Sequence, residues 1–310
     1  MKKLLNIDGG GVRVYFSLLI LNYIEEKTGK EIIDLFDYYS GVSASSILLS
    51  ALLTKYKLKD IIQLFKDFSK KVFYRSYYQM ITSGFGLFYS KYDDMMINNE
   101  LQLLFAGYRL CDLKKPLSIL TFDLLSNKSK CFSSVTKNKE ESEMDLWGII
   151  RGSTAAPTYF DPYILKNNYE RDSYNYRLID GGVVTNNLSE SIFIDALSYY
   201  GDKETYYQLS VGTGTYIHNY NMMSSGLIGW SGPIIDIFFA ASSSYEMEAL
   251  KNISKFDNLK QFHRVDIELE QDIKLDDCDA FITMDSIFEQ WLEKNRNYLD
   301  TISDELLELV

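Results

Sequence analysis

Histidine is scarce in this chain: His218 and His263 are the whole supply. A nucleophile activated by imidazole has only those two partners to choose from. Cysteine is scarce as well. Cys111, Cys131 and Cys278 are odd in number, widely spaced and form no Cys-x-x-Cys pair, which points to a reducing compartment and away from a zinc site. No segment is long and uncharged enough to span a bilayer. Met1-Lys2-Lys3-Leu4-Leu5 opens like a signal peptide, but Asp8 and the glycines behind it cut the apolar run short, so it reads as a first strand. Positive charge is in deficit. The net charge of −11 argues against nucleic acid as a partner and against electrostatic docking on anionic lipid, so any membrane contact would have to be mainly apolar.

What remains is ample material for a core: 310 residues, 46% of them hydrophobic, with 24 tyrosines. Strand-like and helix-like stretches alternate. Lys3 to Ile7 reads as a strand, a helix runs to about Thr28 and stops at Gly29, and helices follow over 47–53 and 58–72. Paired strands are expected at 117–125 and 130–135, a helix over 145–153, and a strand over 177–179. A helix over 188–200, strands over 206–211 and 261–269, and an amphipathic helix over 284–309 complete the series. The stretch 73–96 has no clean period and reads as a loop pinned by aromatic packing or as a mobile flap, whereas 227–239 reads as the start of a buried or interfacial helix continuing through 253; 73–96 and 226–240 are candidates for acyl-chain contact. No repeat, linker or low-complexity tract interrupts the chain. The pattern predicts one α/β domain over 1–310 with helices on both faces of one sheet, a motif-bearing core of about 3–200 and an extension of about 201–310 packed on it.

The chemistry gathers at four turns that follow strands, where ligand sites of open α/β sheets lie. Around Ser43, a strand-like run enters small residues, Gly41-Val42-Ser43-Ala44-Ser45, and leaves as a helix. That is the pattern of a nucleophile elbow, Gly-x-Ser-x-Gly, with Ser45 in place of the second glycine; a plain turn with a capping serine has the same outline. Asp8-Gly9-Gly10-Gly11-Val12-Arg13-Val14 reads in three ways. A dinucleotide loop would need glycine where Val14 stands, and a phosphate loop would need Gly-Lys-Ser/Thr. An oxyanion hole needs only bare amides at a helix start. Asp180, ahead of Gly181 and Gly182, is either a base for the serine or a turn aspartate. Gly212-Thr213-Gly214 forms the fourth turn. The order Ser43, Asp180, His218 fits a triad, and a two-residue Ser–Asp pair is the other option, with His263 structural. Asp276, Asp277 and Asp279 lack calcium-loop spacing and read as a solvated turn.

Taken together, these blocks resemble the patatin-like lipid acyl hydrolases. Asp8 to Arg13 is similar to that family's glycine loop, Phe36 to Ser43 to its elbow, and Arg151 to Phe160 to the block before its catalytic aspartate. Asp180 to Asn187 resembles the aspartate block itself, and Lys91-Tyr92-Asp93, Ser210 to Gly214, Ala241-Ser242-Ser243 and Leu275-Asp276-Asp277 follow the family's order. The resemblance implies a three-layer α/β/α fold around a mostly parallel sheet. It implies Ser43 as nucleophile and Asp180 as its base, with Gly9, Gly10 and Gly11 holding the oxyanion and Arg13 supporting their loop. Gly41 and Ser45 shape the elbow, and Gly181 and Gly182 complete the aspartate motif. No metal or other cofactor is implied. The expected substrate is a membrane lipid, met by a cytoplasmic protein peripheral to the membrane, with no nucleic-acid partner. Val14 and Ser45 depart from the family pattern, and a catalytically silent lipid-binding module of the same fold is the alternative function.

Overall fold

The computed structural model describes residues 1–75, 89–166, 176–217 and 257–309, with a few isolated positions between 237 and 248. In chain order the main elements are β1 (Lys2–Ile7), α1 (Val14–Thr28), α2 (Ile32–Leu35), β2 (Tyr38–Val42), α3 (Ala44–Thr54), α4 (Leu58–Val72) and α5 (Asp94–Phe105). Next come β3 (Leu117–Asp123), β4 (Lys128–Ser133), α6 (Lys139–Ser142), α7 (Leu146–Ser153), β5 (Tyr163–Leu165) and β6 (Tyr176–Asp180). The series ends with α8 (Ser189–Tyr200), β7 (Tyr206–Val211), β8 (Thr215–Tyr216), β9 (Leu259–Val265), β10 (Glu268–Leu269) and α9 (Phe281–Glu308). Eight strands form one sheet in the order β5-β6-β3-β2-β1-β7-β9, with β4 also on β3; β8 and β10 pair separately.

Period-two patterning sorts the strands between two faces. Leu5 and Ile7 of β1, Tyr39 of β2, and Tyr207, Leu209 and Val211 of β7 belong to the large core under α1, α3, α4 and α9. Their alternates Leu4, Tyr38 and Tyr206 pack on the opposite face with Ile192, Phe193 and Ala196 of α8. Helices therefore cover both sides, and the fold is a three-layer α/β/α sandwich with a mostly parallel sheet. The α8 side also buries Asn6, Ser40, Gln208 and Ser210. Buried polar groups need partners, and Asn6 links Ser40 and Ser210. Asn6 Nδ2 donates to Asp8 Oδ1 at 3.1 Å and Ser210 Oγ at 3.2 Å, and its Oδ1 accepts Ser40 Oγ at 2.9 Å.

The centre of the sheet has one topological feature on which the site depends. β4 runs antiparallel along one edge of β3, from Ser118 to Asp123. The other edge is shared. Parallel β2 pairs with Leu117 to Leu120, and antiparallel β6 takes over from Thr121 to Asp123. β2 and β6 therefore meet head to head, Val42 opposite Leu120 and Asp180 opposite Thr121.

The C-terminal part joins the same sheet. β7 lies beside β1, β9 lies beside β7, and α9 packs on α1, where Tyr23 donates its hydroxyl to Asp300 at 2.6 Å. The expected strand over 261–269 is two strands, because Asp266 turns its carboxylate back onto the Gly214 amide (2.9 Å) and its own chain leaves the sheet. Sequence reading missed α5, which Asp93 starts by accepting the Met95 amide at 2.8 Å, and the three-residue β5. Among the described residues, no helix is long and apolar enough to cross a membrane. Residues 76–88 of the first irregular stretch, and 226–240 apart from Ile237, lie outside the described residues, as does His218.

Candidate active site

β2 delivers Ser43 into a turn that ordinary L-residues avoid. Its φ of 57° and ψ of −132° lie outside the helical and extended regions, and α3 begins at the next residue. Such a conformation costs on the order of 1–3 kcal/mol and must be imposed by its surroundings. The Ser43 amide donates to Ser153 Oγ at 2.9 Å, and that hydroxyl donates to the Leu120 carbonyl at 2.7 Å. Ser46 Oγ holds the Ser43 carbonyl at 2.6 Å. Ser45, where the motif has glycine, is fully buried: its Oγ accepts the Val42 amide at 2.9 Å and lies 2.9 Å from the carbonyls of Val42 and Ile7. The extra hydroxyl thus stitches the turn to β1. A Cβ on Gly41 would stand 2.7 Å from it, so Gly41 is what makes room for Ser45.

The head-to-head meeting of β2 and β6 brings Asp180 to the same rung. Ser43 Oγ donates to Asp180 Oδ2 at 2.6 Å across a sequence separation of 137, and Oδ1 accepts the Gly182 amide at 2.7 Å. Both carboxylate oxygens are occupied, yet burial outweighs these bonds and pushes the Asp180 carboxyl up to about 7. A carboxylate poised there can take a proton from a hydroxyl and return it near neutral pH. Gly181 permits this approach, since a Cβ would fall 2.4 Å from the Leu120 carbonyl oxygen.

The third element is the loop after β1. The Gly9 amide donates to the Asn186 carbonyl at 3.0 Å, so it is not free to bind a ligand. The amides of Gly10 and Gly11 have no acceptor among the described residues, and both glycines line the pocket that contains Ser43. Gly11 has φ +55°, and a Cβ there would lie 2.1 Å from the Leu275 carbonyl oxygen, which accepts the Val12 amide at 2.8 Å. The Arg13 amide closes back on the Gly10 carbonyl at 3.0 Å. Val14 follows with φ −53°, already helical and fully buried, so the bulk that replaces glycine there lies in the core behind the loop.

Two groups carry the loop from below. Arg264 of β9 grips Asp8 with two bonds, Nη1 to Oδ1 at 2.9 Å and Nη2 to Oδ2 at 2.6 Å, and also reaches Asp266 at 3.2 Å and Ser210 at 2.8 Å. Burial pushes the Asp8 carboxyl up while the guanidinium opposes it. Thr213 Oγ1 donates to the Gly9 carbonyl at 2.9 Å. Asp8 is thus occupied as an anchor.

Ser43, Asp180, Gly10 and Gly11 open onto a pocket with Asn186 and Thr154 at its polar end. Its depth is apolar, walled by Ile47 of α3, Phe65, Phe68 and Val72 of α4, Ile97 of α5, and Phe73, Tyr159 and Phe160. Asp180 is the one carboxylate among these wall residues. His263 lies elsewhere, on β9 against α9, with Nε2 2.7 Å from Glu305. The residues that sequence reading missed are Ser153, Asn6, Arg264 and Asp266. Ser153 stood inside a recognised block without an assigned role, and Arg264 looked like one polar position of an alternating strand.

The family model described as Patatin-like phospholipase matches residues 5–193. The chain is 27% identical over 276 residues to "Probable inactive patatin-3-Kuras 1" of Solanum tuberosum, covering 78% of this chain and 72% of that protein. It is 28% identical over 278 residues to "Patatin-like protein 4" of Arabidopsis thaliana, covering 77% and 69%. Among solved structures, VipD from Legionella pneumophila aligns over 93% of this chain and 67% of its own, at 13% identity and a TM-score of 0.43. With the family model spanning well over half of its length, the chain belongs to the patatin-like phospholipase family.

Proposed function

We propose that this protein is a lipid acyl hydrolase of the phospholipase A type, working through Ser43 and Asp180 as a two-residue catalytic pair. The observation that carries the reading is the 2.6 Å hydrogen bond from Ser43 Oγ to a buried Asp180 carboxylate at the mouth of an apolar pocket. A serine hydroxyl becomes a competent nucleophile when a base takes its proton as it attacks. Ser43 Oγ bonds to the ester carbonyl carbon while its proton passes to Asp180 Oδ2. The carbonyl oxygen, now negative, turns toward the Gly10 and Gly11 amides; Gly9 shapes their loop instead of donating. The intermediate collapses, the ester C–O bond breaks, and the leaving alcohol takes the proton from Asp180. Water then attacks the acyl-enzyme with Asp180 again as base. The fatty acid departs and the Ser43 hydroxyl is restored.

The apolar pocket suits an acyl chain. The proposed setting is the surface of a membrane, approached peripherally through apolar contacts, because a net charge of −11 offers anionic lipid little attraction. The test is labelling with a fluorophosphonate, together with fatty-acid release from phosphatidylcholine vesicles. Label should map to Ser43, and Ser43→Ala and Asp180→Asn should each lose acyl release by about a thousandfold or more. His218→Ala should stay within roughly threefold of wild type, since the pair needs no imidazole. Full turnover in Asp180→Asn, or a dead His218→Ala, overturns the assignment of the base.

A further inference from the structure

Leu275 and Asp276 stand between two parts of the pocket, the glycine loop and the aromatic wall. On one side, the Leu275 carbonyl accepts the Val12 amide at 2.8 Å and occupies the space beside Gly11. On the other, the Asp276 carboxylate receives Lys91 Nζ and the Tyr92 hydroxyl on the same oxygen, Oδ2. Its side chain is 7% exposed, so Asp276 is not part of a solvated turn, unlike its exposed neighbour Asp277. Lys91 and Tyr92 are themselves pinned to the pocket wall. Their amides donate to the carbonyls of Thr158 and Tyr159 at 2.9 and 3.0 Å, and the Tyr92 ring packs on Phe73 (5.2 Å), Phe160 (5.8 Å) and Tyr159 (6.2 Å). Phe73, Tyr159 and Phe160 line the pocket, as do Gly10, Gly11 and Leu275.

We infer that Asp276 is a positioning residue for the glycine loop: its carboxylate clamps the aromatic acyl wall and thereby holds the Leu275 carbonyl where it sets the Gly10 and Gly11 amides. The inference rests on the proposed function for its kinetic consequence, and on the hydrogen bonds alone for its structural one. A buried charged clamp suits the task because two donors share one fixed oxygen, which leaves the loop little freedom to slide. A misplacement of about 1 Å in such donors is enough to cost on the order of a hundredfold in rate.

The experiment compares Asp276→Ala, Asp276→Asn, the Lys91→Met/Tyr92→Phe double variant and, as control, Asp277→Ala. Amide hydrogen exchange over residues 9–13 and turnover of soluble p-nitrophenyl butyrate are measured on each, with folded fraction followed by circular dichroism. Asp276→Ala and the double variant should exchange the Val12 region about tenfold faster or more. They should lower kcat about tenfold or more while KM moves less than roughly threefold. Asp276→Asn, which keeps an oxygen acceptor, should recover most of the exchange protection and of kcat. Exchange over 9–13 matching that of Asp277→Ala in both the alanine and the double variant overturns the inference, whatever the activity. A wild type that neither hydrolyses the ester nor takes the fluorophosphonate label sinks the proposed function instead, and the exchange data then decide the clamp on their own.

Discussion

Ser153 accepts the backbone N–H of Ser43 at 2.9 Å and gives its own proton to the Leu120 carbonyl at 2.7 Å. One hydroxyl from α7 thus ties the turn after β2 to the neighbouring strand. Ser153→Ala strips a donor and an acceptor from a buried place, which costs about 1–3 kcal/mol. Denaturant titration should register that loss. Ester turnover should show a larger fall in kcat than rise in KM, because the bent Ser43 loses a tether. Unchanged kcat in a destabilised variant would make Ser153 a packing residue only.

Asp180 links activity and stability to pH with opposite signs. The proposed reaction needs the carboxylate, so kcat/KM should rise through about pH 7 and fall about tenfold per pH unit below it. In the unfolded chain the group titrates near its ordinary 3.8, so between that value and about 7 the folded protein holds the extra proton. Folding stability contributed by this group is therefore full below about pH 4 and drains away as pH rises to 7, by a ceiling of about 4 kcal/mol. Asp180→Asn, neutral at every pH, should be more stable than wild type at pH 8 and little different at pH 4. Thermal unfolding at the two pH values checks this; equal destabilisation at both contradicts it.

Ser45→Gly restores the residue that the elbow pattern prefers, and it should nevertheless weaken the protein. The change deletes bonds to Val42 and Ile7 and places glycine inside a helix, together costing roughly 2–3 kcal/mol. Activity should not improve. A gain of tenfold or more in kcat would show that Ser45 holds the turn away from its working geometry.

Arg264→Met leaves Asp8 buried without its cation. Removing one partner of such a pair costs roughly 3–5 kcal/mol. The loss should be greater at pH 8 than at pH 5, because burial already pushes the Asp8 carboxyl up and an unpaired one can take a proton as the pH falls. The Asp8→Asn/Arg264→Met double variant should recover part of the stability. A single variant no worse than the double would mean that Asp8 left without its cation carries no penalty.

Much of the candidate site could be read from residues alone, and the reasons are local. Ser43 and the glycines of 9–11 announce themselves through runs of small residues between apolar stretches, because a backbone that turns sharply or lies close to another leaves that trace. Asp180 was readable for the same reason, though not the direction of its strand. Nothing in Tyr176 to Asp180 says that β6 runs against β3 and ends where β2 ends; that is a matter of pairing register. Arg264 was hidden because a buried ion pair looks like any polar residue in an alternating strand until its partner, 256 positions away, is placed beside it. Asp276 misled in the opposite sense. Three nearby aspartates suggest solvent, and the lysine and tyrosine that bury one of them lie some 185 residues earlier. The strand expected to run on to 269 stops at 265 because Asp266 bonds to the loop after β7.

The junction of two strand ends on β3 also sets a timetable. A growing chain that has reached Asp123 already contains both the serine and the strand it leans on. The group that could take that serine's proton is still more than fifty residues from being synthesised. Until the polypeptide doubles back and lays its sixth strand down from the far side, residue 43 remains an ordinary alcohol. On the proposed chemistry, a half-made protein near a bilayer is harmless to it, and capacity to cut lipid arrives no earlier than β6.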